Sequence, residues 1–192
     1  MAILTVRGTF SRVWPAILAS TILLLAGTAG ENKSRLEYES GYRIKAACLY
    51  NFAKFIEWPR TENAKSFTVG ILGNDPFGDA IDKFVQQKSI NGRSVVVRRL
   101  LTPEQARECD LVYLGSPEML ANLVRAVEHS SVLTVGESAH FTNAGGMIGF
   151  VVIDDNVRFD VNTANTTKAG LLVSSRLLQL ARTVVEGTQG RP

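Results

Sequence analysis

The residues able to do chemistry in this chain are few, and their spacing is poor for catalysis. There are two histidines, His129 and His140, and two cysteines, Cys48 and Cys109. His129 follows a run with helical periodicity, where a cation is welcome at the helix C-terminus. His140 stands in a loop beside Phe141. Neither histidine has the cysteine or acid spacing of a zinc site. The cysteines fit no metal motif and are too few for a disulfide framework. They are candidates for one bridge only if their Cα atoms lie within about 7 Å; otherwise each is a small buried apolar group. Gly73-Asn74-Asp75-Pro76-Phe77-Gly78 has the glycine spacing of a phosphate loop, but Asp79 stands where that loop needs lysine. Asp75 and Asp79 would repel phosphate, so the segment reads as a tight strand-to-helix turn. Ala144-Gly145-Gly146-Met147-Ile148-Gly149 leads into a strand rather than a helix and lacks the amide cradle that holds an anion. Its glycines suit close backbone packing or a sharp bend, with a ligand-facing loop as the alternative. Asp154-Asp155-Asn156 is what a hairpin tip favours before it is a calcium site. No Gly-x-Ser-x-Gly elbow is present. These residues imply no cofactor and no metal, and they point away from an enzyme and toward a binding module.

The elements that position these residues follow from periodicity. A helix is expected from about residue 41 to Glu57, with Ile44, Ala47, Cys48, Asn51, Phe52 and Phe55 as its buried stripe. Trp58-Pro59 ends it, because the residue before proline is pushed out of the helical region. Asn51 is a polar residue on that stripe. Its burial would require a hydrogen bond, and the Asp75–Gly78 turn is a candidate partner. Phe67–Leu72 is apolar on both faces and reads as an internal strand. Asp75 then serves as N-cap with Pro76 at the first helical position, and Phe77, Ile81, Phe84 and Val85 form the helix stripe. Asn91-Gly92 is a turn, and Ser94–Leu100 is a strand. Thr102-Pro103-Glu104-Gln105 is a cap with its capping-box partner. Leu111–Leu114 is a strand. Ser116-Pro117-Glu118 is a second cap, followed by a stripe of Leu120, Leu123, Val124 and Val127. Val132–Val135 is a strand.

Strand and helix in alternation argue a parallel sheet covered by helices. The end differs: Met147–Ile153 and Val157–Val161 form a hairpin, and a short turn through Ala164–Gly170 leads to a last helix from Ser174 to about Glu186. The expectation is one three-layer-like α/β domain. Its mixed, mostly parallel sheet is flanked by helices and closes with a C-terminal β-hairpin and helix. The domain spans residues 41–186, after a flexible segment at 31–40 and before a tail at 187–192.

The first thirty residues read differently. Arg7 and Arg12 precede an uncharged stretch from Val13 to Gly30, with an apolar centre and the small residues Gly27-Thr28-Ala29-Gly30 at its exit. That is the layout of a secretory signal peptide, cleaved near Ala29 or Gly30. The apolar core is short for a bilayer span of about 20 residues. Loss of Arg7 and Arg12 would bring the 21 basic and 18 acidic side chains close to balance, so the charge carries no argument for nucleic acid. The expected location is outside the cytoplasm.

At Lys45-Ala46-Ala47-Cys48-Leu49-Tyr50-Asn51-Phe52-Ala53-Lys54-Phe55-Ile56-Glu57-Trp58-Pro59 the chain resembles the YfiR family of periplasmic proteins. Three more blocks agree: Gly70–Gly78; Val132–Val135 through Phe141 to Gly145–Phe150; and Val157–Asn162 continuing to Ala169–Leu171 and Ser174–Ala181. The resemblance covers about Tyr42 to Val185. It implies a periplasmic regulator rather than an enzyme. Such a regulator binds the outer part of an inner-membrane diguanylate cyclase, or a sensor kinase, and holds it inactive, so that cyclic di-GMP in the cytoplasm responds. An outer-membrane lipoprotein that draws the regulator away is also implied, and a homodimer is compatible. The alternative is a small-ligand-binding periplasmic sensor. Relatives often carry a cysteine at the position of Gly70, paired with the one at Cys109, and further cysteines where this chain has Asn143 and Gly149, while Cys48 stands where tyrosine is usual. These departures put redox control in doubt. The expected partner-binding residues are Lys54, Glu57, Trp58 and Pro59 at the end of the first helix, together with Asp75, Gly145, Gly146, Met147 and Phe150. Aromatic and charged groups together suit a protein-binding hot spot, although Trp58 also suits a helix-ending core position.

Overall fold

The computed structural model describes residues 39–59 and 65–186. The chain divides into Met1–Ser40 and Gly41–Pro192. Of the first unit only Glu39 and Ser40 are described, both helical. The signal peptide at 1–30, most of the 31–40 segment and the 187–192 tail lie outside the described residues.

The second unit begins with helix α1, residues 41–54. The strands that follow are β1 (Ile56–Glu57), β2 (Ser66–Leu72), β3 (Ser89–Ile90), β4 (Arg93–Leu100), β5 (Leu111–Leu114), β6 (Leu133–Gly136), β7 (Ile148–Ile153), β8 (Asn156–Asn162), β9 (Leu172–Val173) and β10 (Thr183–Val185). Between them lie α2 (Asp79–Val85), α3 (Leu120–Ala126), α4 (Thr163–Lys168) and α5 (Ser175–Leu180), with 3₁₀ turns at Pro103–Glu108 and Pro117–Met119. Eight strands form one sheet in the order β10-β8-β7-β6-β5-β2-β4-β3, and β1 pairs with β9 in a separate antiparallel ribbon. From β4 through β2, β5 and β6 to β7 every neighbouring pair is parallel; the β7–β8 and β3–β4 pairs are antiparallel. This is the mixed, mostly parallel α/β sheet expected.

Alternation along the central strands separates two cores. Leu111 and Tyr113 point into the larger one, with Phe67, Val69, Ile71, Leu133 and Val135, under α1, α2 and α5. Val112 and Leu114 point into the smaller one, with Leu120, Leu123, Val127 and Phe141. The second core closes around one ring. A Cβ on Gly136 would stand 2.4 Å from the Phe141 ring, and one on Gly146 would stand 2.1 Å from it. These two glycines exist to admit Phe141.

Two turns appear as read. Asn91 and Gly92 both take positive φ between β3 and β4, as do Asp154 and Asp155 between β7 and β8. That is the backbone of the two-residue turns that match strand twist. Gln105 accepts from the backbone N–H of Leu101 at 2.7 Å, which caps a 3₁₀ turn instead of an α-helix.

Other local expectations are corrected. Asp75 does not cap α2. Its Oδ1 accepts from Phe77 N at 2.8 Å and from Gly78 N at 3.2 Å, and the helix begins only after Gly78, whose φ is +50°. Ser116 makes no cap either; its Oγ accepts from Asn74 N at 3.2 Å. The turn expected through Ala164–Gly170 is a helix, α4, capped by Asn162, whose side chain accepts from Asn165 N. The last helix stops at Leu180. Ala181 is extended, and Thr183-Val184-Val185 pairs in parallel with β8. β-Branched residues favour that half-buried edge, and Arg182 grips Asp160 beside it.

The largest correction concerns α1. Its buried side is Lys45, Ala46, Leu49, Phe52 and Ala53, while Ile44 is 51% exposed and Asn51 lies in solvent. Asn51 therefore bonds no turn. Apolar residues occur at two neighbouring phases of this helix, and a buried lysine hides the right one. Lys45 is only 5% exposed. Its Nζ lies 2.6 Å from Glu137 Oε2, just past the end of β6, and Tyr113 on β5 donates to Glu137 Oε1 at 2.5 Å. Tyr42 adds its hydroxyl at 3.3 Å, and its ring lies under the ammonium at 4.2 Å. Replacing Lys45 with Met should cost about 2 kcal/mol by urea unfolding, the order of a hydrogen bond to a charged group. The double variant Lys45→Met, Glu137→Gln should lose less than the sum of the singles. Strictly additive losses would contradict a coupled pair.

Candidate functional site

In open sheets of this class ligands favour the crevice outside the carboxyl ends of strands where the order reverses. Here the chain runs from β2 to β4 on one side and returns to β5 on the other, so that crevice lies beyond Leu72 and Leu114. It is closed by backbone. Gly73 has φ +83°, and a Cβ there would stand 2.3 Å from Ser116 Oγ; a Cβ on Gly115 would stand 1.8 Å from the Asn74 carbonyl oxygen. Gly73 of the supposed phosphate loop therefore serves packing between two chain segments, while a Cβ on Gly78 would meet nothing within 4 Å.

Asp75 belongs to the same closure. Its Oδ2 accepts from Arg99 Nε at 2.9 Å, while the rest of the Arg99 guanidinium reaches Asp82 at 2.6 Å and the Gly78 carbonyl at 2.8 Å. The hydrogen bond from Arg99 holds the Asp82 carboxyl below its ordinary range, against the opposing effect of burial. Asp75 thus fastens the β2–α2 turn to β4.

The Gly145–Phe150 segment is mostly interior. Met147 is 6% and Phe150 3% exposed, with the Phe150 ring 5.5 Å from Phe52. Gly146 faces Phe141. Gly145, with φ +107°, and Met147 both line a surface groove.

The end of α1 is different. Lys54, Glu57 and Pro59 are exposed, with the Lys54 ammonium 5.6 Å from the Tyr50 ring. Trp58 is half-buried. Its indole N–H donates to the Ala53 carbonyl at 3.1 Å, and its ring meets Phe67 edge-on at 5.1 Å. Trp58 therefore spends its polar handle on ending the helix. Directly across the ribbon from Glu57 stands Leu172, 57% exposed. The ribbon is tied to the helix end by Ser174 N–H donating to the Phe55 carbonyl at 2.9 Å. Glu57 and Leu172 thus face each other across the ribbon at the end of α1, with Lys54 and Pro59 exposed on either side of Glu57 in the chain; Asp75 and the Gly145–Phe150 segment do not join this corner. Leu172 was not foreseen, since nothing in Leu171-Leu172-Val173 tells the buried leucine from the exposed one. Lys45 and Glu137 were also missed; a lysine inside an apolar run was the available signal.

Among the described residues no group of three His, Cys, Asp or Glu side chains is placed to hold a metal, and no helix is long and apolar enough to cross a membrane. Both cysteines are free, Cys48 packed on the larger core and Cys109 within the smaller one. Burial raises both thiols, Cys109 to about 11. A Cβ on Gly70 would stand 2.9 Å from Cys109 Sγ, so this is where the resemblance places the missing half of a bridge.

The family model described as YfiR/HmsC-like matches residues 42–182. The chain belongs to the YfiR/HmsC-like family. None of the curated proteins matches it. Among solved structures it is similar to one described as the ABC domain in complex with L-Trp from Streptococcus pneumonia. The TM-score is 0.50 at 11% identity over 73% of this chain. It is similar also to a conserved domain protein from Vibrio cholerae O1 biovar eltor, with TM-score 0.46 and 10% identity over 72% of this chain. It spans 60% and 59% of those two chains. At such identity the first likeness speaks for the fold alone. With glycine at position 70, this YfiR/HmsC-like chain offers no thiol there to pair with Cys109. Thiol titration in denaturant should give two free thiols per chain, and the native protein should react slowly at neutral pH, faster only as the solution becomes strongly alkaline. A count of zero in an undimerised sample would contradict the structure.

Proposed function

We propose that this YfiR/HmsC-like chain is an exported periplasmic regulator that represses an inner-membrane diguanylate cyclase by binding the cyclase's outer part. The observation that carries this reading is the family match across residues 42–182, nearly the whole described domain. Repression is then a binding equilibrium: the regulator favours the inactive state of its receptor, and anything that removes it releases the cyclase. An outer-membrane lipoprotein is the expected competitor, and a sensor kinase the expected alternative receptor.

The corner formed by Lys54, Glu57, Pro59 and Leu172 is the proposed docking face. Two features support it. An exposed leucine flanked by charges has the apolar centre and polar rim of a protein interface. The helix end and ribbon that carry it are hydrogen-bonded together, so little ordering is needed on binding. Trp58 supports this corner from beneath.

Changing Lys54 to Glu should leave stability within about 0.5 kcal/mol, because the side chain is solvated. It should weaken binding to the purified outer part of the cyclase roughly tenfold, as loss of a charged contact does. Titration calorimetry and a cyclase assay in membranes read both effects. A folded Lys54→Glu protein that binds and represses like the parent would remove this corner from the interface.

A further inference from the structure

A groove of about 310 Å³ opens between α3 and α4. Its floor is apolar: Val124, Val127 and Met147, the last two almost fully buried. Gly145 forms one wall, and a Cβ there would press on both Val124 methyls at 3.2 and 3.3 Å. The absence of a side chain at position 145 therefore keeps the wall thin.

The rim is cationic. Arg125 and Lys168 both line the groove, with His129 beside them. Among the described residues Arg125 has no ion-pair partner. The carboxylate nearest Lys168 is Glu128 at 3.9 Å, and both side chains stand largely in solvent. A pair so exposed contributes little and is easily exchanged for a better one. One acid thus faces two permanent cations over an apolar floor. Inorganic phosphate would satisfy the rim and leave the floor wet, and a neutral apolar molecule would leave the cations unused. The volume sits at the lower end of the range for ligand pockets, about 300–1,000 Å³, so the occupant is small.

We propose that this groove binds a small monocarboxylate with a compact apolar body, its carboxylate between Arg125 and Lys168 and its body on Val124, Val127 and Met147. Arginine suits this role because its planar fork meets a carboxylate through two parallel hydrogen bonds. Ligand binding is read with no partner present, so its failure is distinguishable from failure of the docking reading.

Phenylacetate is the probe, added to the whole mature chain and followed by backbone amide shifts in nuclear magnetic resonance. Saturable shifts at Gly145, Gly146 and Asn165, with a dissociation constant on the order of a millimolar or tighter, are expected. Acetate, inorganic phosphate and the neutral phenylacetamide should each bind at least about tenfold more weakly, since each lacks either the charge or the body. The variant Arg125→Glu, Lys168→Glu changes only exposed side chains and should lose about tenfold or more in affinity for phenylacetate. Should that variant fail to fold, Ala121→Trp, which fills the exposed mouth from α3, must abolish the shifts instead. Phenylacetate that fails to saturate by about 10 mM overturns the proposal. So does phenylacetamide binding as well as the acid, or a folded charge-reversed variant that still binds.

Discussion

The seating of α1 depends on one buried ion pair. Lys45 is an ammonium taken almost wholly out of water, which is costly unless it is paired. Glu137 supplies the charge, Tyr113 holds the carboxylate from β5, and Tyr42 covers the ammonium with its ring. The contact joins the first helix of the domain to the loop after β6, 92 positions along the chain. Hydrophobic burial alone would tolerate either of two rotations of α1, since apolar residues occupy two adjacent phases. The Lys45–Glu137 contact is satisfied by one of them. That rotation sends Leu49, Phe52 and Ala53 into the core and turns Asn51 and Lys54 to solvent. It also aims the helix end so that Trp58 lands on Phe67 and Ile56 pairs with Val173.

Elsewhere the fold closes the places where related architectures keep a ligand crevice. Backbone meets backbone at the β2–β5 reversal, where Gly73 and Gly115 leave no room for a side chain. Phe141 fills the space beneath Gly136 and Gly146. Among the described residues, the surfaces left open include the α1 corner with its ribbon and the cationic groove between α3 and α4. A surface built this way suits a protein whose work is to be bound and released.

Much of this architecture was legible in the residues. Strand and helix alternate where apolar runs meet Gly, Pro and Asn punctuation, and both hairpin turns were marked by residues that tolerate positive φ, Asn91-Gly92 and Asp154-Asp155. The resemblance to the YfiR family rested on blocks that the family match spans. The failures share a cause: a local signal was outvoted by a contact distant in sequence. The rotation of α1 was set by Glu137. Thr183-Val184-Val185 continued a helical pattern yet paired with β8, because an open strand edge was available there. Asp75 and Ser116 had the right type for caps, but Ser116 was recruited by Asn74, and Asp75 closes a local turn on Phe77 and Gly78 while its other oxygen takes Arg99 of β4. At the candidate site, the exposure of Lys54, Glu57 and Pro59 agrees with their chemistry. Leu172 had no sequence signal, since exposure of one leucine in an apolar trio depends on the ribbon it enters. Met147 and Phe150 looked available beside glycines whose real task was to make space for a ring.

The central claim is that the α1 corner is the face this protein offers to a membrane signalling enzyme. Photo-crosslinking in intact cells tests it whichever enzyme the partner is. A crosslinking amino acid would replace Glu57 in one strain, Leu172 in a second and Val96, exposed on β4, in a third. The account predicts adducts from positions 57 and 172 to the same inner-membrane diguanylate cyclase or sensor kinase, and none from position 96. An adduct to that enzyme from position 96 alone, with positions 57 and 172 silent in a folded protein, would contradict it.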